Sequence, residues 1–583
     1  MLHTLTRSLR ENKGPALVTV LLSALEVVFE IVIPLFMSNL IDFGIEGGSM
    51  AAVWKFGAFL LLLAAFQLST GVLAARIAAR ASVGFAANLR EDMYNNVQTF
   101  AFSNIDKFST ASIVTRLTTD TTNVQNAFQM LMRMAIRAPV MLIFSMIVSF
   151  RISRDISMTF LVILPILALA LFFIIRSVFP VFTRVFRTYD ELNNVVQENV
   201  RGIRVVKSFN QERHEIGKFG AISERIYKDF SKGERLITLN APLMQFCIYT
   251  CMIVISWLGA KAIIASGNDP ALGLTTGNLT ALITYTMQIL SSLMMLSMVF
   301  AMLTISLSSA RRIAEVLEER SDIPQPEQPV MTVRDGAVDF DHVSFVYASK
   351  ADKKVLDDID LHIRSGETIG IIGGTGASKS SLVQLIPRLY DVTGGKLTLG
   401  GVDVRDYDLD TLRGAVAMVL QKNELFSGTI AENLRWGNEN ATDEQLRHAC
   451  KLACADGFIS AMPDGYDTHI EQGGTNVSGG QKQRLCIARA LLKKPKVLIL
   501  DDSTSAVDTR TDAQIQQALS AYIPETTKII IAQRISSVQN ADRIVVLDDG
   551  RIDAVGCHDE LLRTCEIYRE VYESQQKGGE DDA

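Results

Sequence analysis

Residues 373–381 have the composition of a phosphate-binding loop. They follow the β-branched run 368–372 and contain a cluster of glycines, a lysine and two serines ahead of an apolar helix start. In such a turn the backbone N–H groups bind phosphate, the lysine contacts the terminal phosphates and the next hydroxyl ligates Mg²⁺. The pattern has glycine at residue 378, where this chain has serine. The predicted nucleotide-contacting residues are Gly373, Gly374, Thr375, Gly376, Ala377, Ser378, Lys379, Ser380 and Ser381.

Two further segments have the residue types of a nucleotide site. Residues 497–500 are an apolar run that ends in Asp501, which predicts a buried strand with a carboxylate suited to Mg²⁺ at its end. Earlier in the chain stand Val477, Ser478, Gly479, Gly480 and Gln481. This pentapeptide resembles the signature sequence of the ABC transporter family, with Val477 where leucine is usual. The resemblance covers the whole chain, because the other motifs occur in the family's order and at its spacings.

The resemblance implies a role for each motif. Tyr347 would stack on the adenine of ATP, and Gln421 would contact the membrane domain as well as sense Mg²⁺. Residues 471–474 would contact the short cytoplasmic segments that join long helices of the membrane domain. The signature would clamp ATP bound to the opposite subunit, and residues 505–508 would join the two sites. The implied ligands are ATP and Mg²⁺, the latter held by Ser380, Gln421 and Asp501.

Two positions depart from the family pattern where hydrolysis takes place. The family has a glutamate after Asp501 to polarise the attacking water, and this chain has Asp502. Its carboxylate is shorter by about 1.5 Å, a displacement that can cost on the order of 10²-fold in rate. The family has a histidine where this chain has Gln533, whose amide carries no proton at neutral pH. With Ser378 they would line one pocket, which predicts a degenerate site that binds ATP and hydrolyses it slowly.

A degenerate site beside a nearly intact signature predicts an unlike partner. In the family two nucleotide domains pack head to tail, so each ATP meets one chain's phosphate loop and the other chain's signature. We therefore expect a heterodimeric exporter, in which this signature completes a competent site on a second half-transporter. Two alternatives stay open: a homodimeric exporter or lipid flippase with slow sites, and a regulatory or channel-like subunit that ATP binding alone gates.

The composition divides the chain into a lipid-facing and an aqueous part. Of its 583 residues, 48% are hydrophobic and 21% are charged. The mean hydropathy of +0.22 is too high for an ordinary soluble protein, and the charged fraction is too high for a chain embedded entirely in lipid. The net charge of −6 gives no basic excess, which excludes nucleic-acid binding by phosphate neutralisation. Cys450 and Cys454 have helical spacing, but no second pair accompanies them, so no zinc site is predicted.

Six apolar runs are each long enough to cross a bilayer core of about 30 Å, which predicts a polytopic α-helical membrane domain. The basic N-terminus belongs inside, as do the long polar connections after the second and fourth runs. These connections predict helices that extend into the cytoplasm, with short cross-pieces near residues 104–110 and 211–217. The resemblance implies the bacterial cytoplasmic membrane. The runs lie near residues 15–37, 53–79, 127–150, 158–178, 236–264 and 279–307.

The composition changes after the sixth run. Three prolines interrupt residues 321–336 and predict a linker between a membrane domain, 1–320, and an α/β ATPase domain of the ABC type, 337–577. An acidic tail, 578–583, is expected to fray. The predicted strands of the ATPase domain lie at 337–345, 368–372, 416–419, 497–500, 529–532 and 544–547.

Four of the ionisable residues in the predicted spans form two pairs with helical spacing. Glu26 and Glu30 share one helical face, and Arg133 and Arg137 share another. Each costs roughly 2.5–3.5 kcal/mol on insertion scales, so such groups normally face a cavity or a partner. One interpretation is a translocation pathway whose acids attract cationic substrates, and the other is internal ion pairing that orients helices. The substrate is expected to be amphipathic or apolar, of the multidrug, lipid or peptide type.

Overall fold

The computed structural model describes residues 1–269, 273–347, 354–502 and 507–580, which fall into two units. The first contains Met1–Gln98 and Thr110–Glu319. The second contains Thr99–Ser109 and the chain from Arg320 onward. A short segment from within the predicted membrane domain thus belongs with the C-terminal unit.

Six helical segments of the described residues are long and apolar enough to cross a membrane, which confirms the predicted membrane fold. A helix of 49 residues, the length of α3, measures about 74 Å at the usual rise, so much of it extends beyond a bilayer core of about 30 Å. In chain order the helices are α1 Leu2–Arg7, α2 Lys13–Asn39, α3 Met50–Gln98, α4 Phe102–Lys107, α5 Thr110–Thr115, α6 Thr121–Ile152, α7 Arg154–Arg201, α8 Ile203–Ser208, α9 Glu212–Thr238, α10 Asn240–Ser266 and α11 Thr276–Glu318.

The two cross-pieces differ in how well their positions were predicted. The first, 104–110, overlaps α4. The second, 211–217, is wrong as a separate element, because residues 212–217 form the first turns of α9 and the short helix is α8. Gly202 ends α7, and Asn210 turns the chain with a positive φ of 53°, a conformation that asparagine tolerates better than most residues.

The outer ends of α2 and α11 are joined through the carboxylate of Asp42. Asp42 lies in a π-helical segment, Leu40–Glu46, that continues α2. It accepts hydrogen bonds from the Thr275 hydroxyl at 2.6 Å and from the Gly277 backbone N–H at 2.8 Å, at the start of α11. A Cβ atom at Gly277 would lie 2.3 Å from the Ser38 carbonyl oxygen, so only glycine permits this approach.

The inner part of α11 is held by a second aspartate. Asp120 ends another π-helical segment, Arg116–Asp120, and is buried. It accepts two hydrogen bonds from the Arg312 guanidinium, of which the one from Nε measures 2.7 Å. Arg116 in turn donates to the Arg312 carbonyl at 2.8 Å, so α11 is tied to the entry of α6.

The second unit is built on sheets flanked by helices, which confirms the predicted α/β class. A six-stranded sheet has the order β12-β11-β3-β10-β9-β6, and a four-stranded antiparallel sheet has the order β2-β1-β4-β5. All six predicted strands overlap strands of the structure, and two of them, 337–345 and 529–532, extend one residue beyond the observed strand. The strands are β1 Val338–Phe345, β2 Leu356–Ile363, β3 Thr368–Gly373, β4 Gly394–Leu399, β5 Val402–Asp403, β6 Val416–Val419, β7 Gly428–Thr429, β8 His469–Ile470, β9 Val497–Asp501, β10 Thr527–Ile531, β11 Arg543–Asp548 and β12 Arg551–Gly556.

The helices of the second unit pack on the six-stranded sheet, whose strands β9 and β10 are buried along their whole length. The last helix ends at Glu580, inside the predicted acidic tail, and residues 581–583 lie outside the described residues. The helices are α12 Lys379–Gln384, α13 Leu409–Ala415, α14 Ile430–Arg435, α15 Asp443–Leu452, α16 Asp456–Ser460, α17 Gly479–Leu492, α18 Thr509–Tyr522, α19 His558–Thr564 and α20 Glu566–Glu580.

Replacing Gly277 by alanine should force the outer ends of α2 and α11 apart. The added Cβ would clash with the Ser38 carbonyl and displace the N–H that Asp42 accepts, at a cost of roughly 1–3 kcal/mol. The thermal midpoint of the purified chain in detergent should therefore fall. The control is Gly57→Ala in α3, where no atom lies within 4 Å of the new Cβ and no loss is expected. Equal midpoints for the two variants would contradict this account.

Candidate functional site

Three parallel strands bring the predicted nucleotide residues to one edge of the six-stranded sheet. In β10, Ile531 lies opposite Ile371 of β3 on one side and Asp501 of β9 on the other. The carboxyl ends of parallel strands meet at the same edge, where loops approach each other. The phosphate loop, the two aspartates and Gln533 therefore leave the sheet side by side.

The phosphate loop turns sharply as it leaves β3. A Cβ at Gly373 would lie 2.2 Å from the Leu547 carbonyl oxygen of β11, so glycine is required there. Gly376 has a φ of +87° and Ser378 a φ of 68°. The left-handed conformation costs a non-glycine residue roughly 1–2 kcal/mol. This explains why the pattern has glycine at 378, and the serine of this chain adopts the same left-handed conformation that favours glycine.

Lys379 folds back over the same loop. Its ammonium group donates hydrogen bonds to the carbonyl oxygens of Gly373 at 2.7 Å and Gly374 at 2.8 Å. Burial lowers the pKa of Lys379, and the nearby carboxylates of Asp501 and Asp502 oppose that shift. The positive charge therefore lies where the loop is predicted to hold phosphate.

Ser380 and Asp501 form an oxygen-rich pair. The Ser380 hydroxyl donates to Asp501 Oδ1 at 3.1 Å, and Asp501 is buried at the end of β9. Burial raises the pKa of Asp501, while the Ser380 hydrogen bond opposes the rise. A hydroxyl and a carboxylate this close are a donor set of the kind that Mg²⁺ prefers. Gln421, the third predicted ligand, contacts the neighbouring Asp502 instead.

Asp502 lies between two amides. Its Oδ2 accepts hydrogen bonds from Gln533 Nε2 at 2.8 Å and Gln421 Nε2 at 3.4 Å. Its backbone has a φ of 47° and its N–H donates to the Ile531 carbonyl at 3.0 Å. Burial raises the pKa of Asp502, and the hydrogen bonds from Gln421 and Gln533 oppose that rise. The structure thus brings the two departures from the family pattern into direct contact.

The predicted adenine-stacking residue, Tyr347, lies beside the phosphate-loop helix. Its hydroxyl is 2.7 Å from the Ser381 hydroxyl, and its ring meets those of Phe345 and Tyr390 edge-on. Tyr390 also packs edge-on against Phe102 of the cross-piece α4. One aromatic cluster therefore contacts both the predicted adenine position and the first cross-piece.

Tyr390 is a residue that sequence reasoning missed. Its hydroxyl donates to Asp106 Oδ2 of α4 at 2.8 Å, and burial with that hydrogen bond raises the pKa of Tyr390. The tyrosine and the aspartate are 284 residues apart, and neither belongs to a nucleotide motif. The segment Thr99–Ser109 joins the second unit partly through this bond.

The signature lies at the start of α17. Ser478 caps this helix: its hydroxyl accepts from the Gln481 N–H at 3.3 Å and its own N–H donates to the Gln481 side chain at 2.9 Å. Val477 packs against the core, and Gly479 and Gly480 open the helix. The hydrogen bonds of the described residues do not join the signature to the phosphate loop of the same chain.

The structure gives contacts for parts of two other predicted loops, residues 471–474 and 505–508. Within residues 471–474, Gly473 has a φ of 72° and accepts a 2.6 Å hydrogen bond from Lys482 of α17. In the segment 505–508, Ser505 and Ala506 lie outside the described residues. Asp508 accepts from the Thr511 N–H at 2.9 Å and so caps α18.

Of the four ionisable residues singled out in the predicted spans, three form an ion-paired cluster. Arg137 of α6 donates to Glu26 at 2.8 Å and to Glu30 at 2.7 Å, both on α2. Glu26 is buried beside Gly71 of α3, where a Cβ would lie 3.2 Å from its carboxylate. Arg133 has no polar partner among the residues that the structure describes. The internal pairing considered from the sequence is therefore present for three of the four residues.

Comparisons with known proteins agree with this geometry. The chain matches the family described as ABC transporter transmembrane region over residues 16–294, and that described as ABC transporter over residues 356–505. The uncharacterised ABC transporter ATP-binding protein YfiB of Bacillus subtilis is 35% identical over 558 residues, 96% of each chain. This chain belongs to the ABC transporter family.

Other relatives of this ABC transporter align over nearly its full length. The uncharacterised ABC transporter ATP-binding protein Rv1273c of Mycobacterium tuberculosis is 33% identical over 580 residues, 99% of this chain and 98% of that protein. The structure of a bacterial Atm1-family ABC exporter with ATP bound has a TM-score of 0.82 at 24% identity, covering 97% and 99% of the two chains. The likeness to that structure shows a shared fold.

The family and the fold establish the coarse organisation of the chain. It is an ABC half-transporter with one membrane domain and one ATP-binding domain, and it is a multi-pass membrane protein whose ABC domain is cytoplasmic. In that domain Lys379, Ser380 and Asp501 lie at the edge of the six-stranded sheet where the phosphate loop leaves β3.

Substituting glycine for Ser378 should stabilise the ABC transporter. Glycine removes the cost of the left-handed backbone at residue 378, but it makes the unfolded chain more flexible. The net gain in the free energy of unfolding is roughly 1 kcal/mol, so the thermal midpoint should rise slightly. The control is Ala377→Gly, at a buried position without a positive φ, which should lower the midpoint. A lower midpoint for Ser378→Gly would show that the serine costs nothing there.

Removing the guanidinium of Arg137 should destabilise the membrane domain strongly. Arg137→Gln leaves Glu26 and Glu30 without their partner, a loss of about 3–5 kcal/mol for buried pairs. Thermal unfolding in lipid nanodiscs measures the effect. Arg133→Gln is the matched control, with a small expected change. Equal losses for the two variants would contradict the assigned pairing.

Proposed function

We propose that this ABC half-transporter is one half of a heterodimeric exporter, and that its own ATP site retains ATP with little hydrolysis. The observation that carries the proposal is the surroundings of Asp502. Two groups that donate hydrogen bonds to its carboxylate, Gln421 and Gln533, are amides. An amide donates or accepts a hydrogen bond but does not take up a proton, so neither of these two can share the proton of an attacking water.

The short side chain of Asp502 adds to this effect. A glutamate would extend the carboxylate by about 1.5 Å, and a displacement of that size can change a rate on the order of 10²-fold. The 2.8 Å hydrogen bond from Gln533 also occupies the oxygen that a water would approach. Asp502 is therefore placed to complete the pocket rather than to activate a nucleophile.

Apart from Ser378, the groups that would hold ATP match the family pattern. Lys379 supplies the positive charge, and Tyr347 offers an aromatic face beside the phosphate-loop helix. We assign Mg²⁺ to Ser380 and Asp501, whose oxygen atoms are 3.1 Å apart, while Gln421 contacts the adjacent Asp502. Bound Mg²⁺ would neutralise charge on the phosphates. Binding without turnover is the behaviour expected of this set.

The signature favours an unlike partner. Ser478 lies exposed at the start of α17 and is available to a nucleotide held by another chain. Two copies of this chain would give two slow sites. A partner with glutamate and histidine at the corresponding positions would instead form one competent site, completed by Ser478, Gly479 and Gly480.

The direction of transport and the kind of substrate follow from the membrane domain. The shared fold and the long cytoplasmic helices support export across the cytoplasmic membrane. The cluster of Arg137 with Glu26 and Glu30 carries one positive and two negative charges, a net −1 at the level of the spans. We therefore propose an amphipathic substrate with an apolar body, of the multidrug, lipid or peptide type, and a cationic form is favoured.

Restoring the two family residues should restore hydrolysis. In Asp502→Glu combined with Gln533→His, the carboxylate regains its reach and a proton-accepting group replaces the amide. ATP turnover by the purified chain should then rise on the order of 10²-fold over the unchanged chain. Phosphate release measured in nanodiscs tests this, with Lys379→Ala in the same background as the control that removes the phosphate contact.

A parallel measurement separates the heterodimer from the alternatives. Co-expression with an adjacent half-transporter gene should give ATP turnover that disappears when the partner's catalytic glutamate is changed to glutamine. Normal exporter rates from the unchanged chain alone would overturn the degenerate-site proposal, while membership of the family would stand.

A further inference from the structure

The last helix of the chain, α20, is fixed to the core along one face. Tyr568 is fully buried, and Val571 and Tyr572 pack against the same hydrophobic cluster. Residues three, four and seven positions apart share a face of a helix. Gln575 therefore continues this face one turn beyond Tyr572, on an element whose position the core determines.

The amide of Gln575 bridges the segment that carries Gln533. Its Nε2 donates to the Gln533 carbonyl at 2.7 Å, and its Oε1 accepts from the Ile535 N–H at 2.9 Å. One side chain thus satisfies a backbone acceptor and a backbone donor on either side of Arg534. Since Ile535 is buried, the segment is held from inside by the core and from outside by Gln575.

These contacts continue to the ATP site. Gln533 has its backbone carbonyl on Gln575 and its side-chain amide on Asp502, 2.8 Å away. We propose that Gln575 is a positioning residue for this site, and that it holds the backbone of Gln533 so that the Gln533 side chain faces Asp502 before nucleotide binds. The inference rests on the proposed function of the site and adds a residue from α20 to it.

The expected effect of Gln575 on nucleotide binding follows from its ordering of residues 533–535 before nucleotide binds. Without Gln575, residues 533–535 would be less ordered before nucleotide binds, and part of the binding free energy would then be used to order them. The substitution also removes the two hydrogen bonds of the Gln575 side chain, each of ordinary strength. Gln575→Ala should therefore weaken nucleotide binding about threefold to tenfold, and it should do so through Gln533.

Binding of Mg²⁺ with the non-hydrolysed analogue AMP-PNP to the full-length chain in nanodiscs tests the proposal. Four chains are compared with the unchanged one: Gln575→Ala, Gln575→Glu, Gln533→Ala and the double variant Gln533→Ala with Gln575→Ala. The glutamate keeps the acceptor for the Ile535 N–H and loses the donor to the Gln533 carbonyl, so it should weaken binding as alanine does. In the double variant, Gln575→Ala should add nothing to Gln533→Ala.

The control is Gln576→Ala on the same helix, whose amide donates to the Tyr572 hydroxyl rather than to residues 533–535. Thermal midpoints without nucleotide are measured for every variant, because a purely structural role would lower them and leave the nucleotide-induced rise unchanged. Independent effects of Gln575 and Gln533 on binding, or unchanged binding in both Gln575 variants, would overturn the inference. Absence of binding to the unchanged chain would overturn the proposed ATP site as well.

Discussion

The parallel alignment of β3, β10 and β9 is the constraint on which the ATP site depends. The phosphate loop, Asp501 and Gln533 come from three distant parts of the sequence, and they meet because Ile531 pairs with both Ile371 and Asp501. A shift of one residue would turn every side chain of a strand to the opposite face. Since β9 and β10 are buried along their whole length, such a shift would disturb packing on both faces of the sheet. The core thus determines which chemical groups are neighbours.

Under the proposed function, this framework separates the binding of ATP from its hydrolysis. Lys379, Ser380 and Asp501 depend on backbone geometry that the loop retains, even with a serine at the left-handed position 378. Proton transfer depends instead on the length and basicity of two side chains, and at both positions the chain has a residue less suited to the task. Because Asp502 and Gln533 hydrogen-bond each other, each of the two changed residues gives the other a polar partner. That mutual fit is a physical reason for both to occur together.

Much of the fold could be predicted because its signals are local. Apolar runs of sufficient length gave the six spans, and β-branched runs gave six of the strands that form the sheets. The remainder depends on contacts that no local pattern reveals. Gln575 lies 42 residues from Gln533, and Gly277 lies 235 residues from Asp42. The residue types at these positions do not signal the contacts. The misplaced second cross-piece has a similar cause, since Gly202 and Asn210, rather than hydrophobic periodicity, decide where α8 begins and ends.

In the membrane domain, an aspartate holds helix α11 at each of two places. Asp42 holds its outer end and Asp120 holds its inner part, and each carboxylate lies in a π-helical segment, a rare geometry that is frequent at functional sites. The two contacts differ in strength, because Asp120 is paired with a guanidinium whereas Asp42 binds a hydroxyl and one backbone N–H. Under the export proposed here, helices of the membrane domain must separate on the outer side at some stage. The neutral contacts of Asp42 are the ones that can break at lower cost, so α11 is expected to move about its inner, ion-paired end.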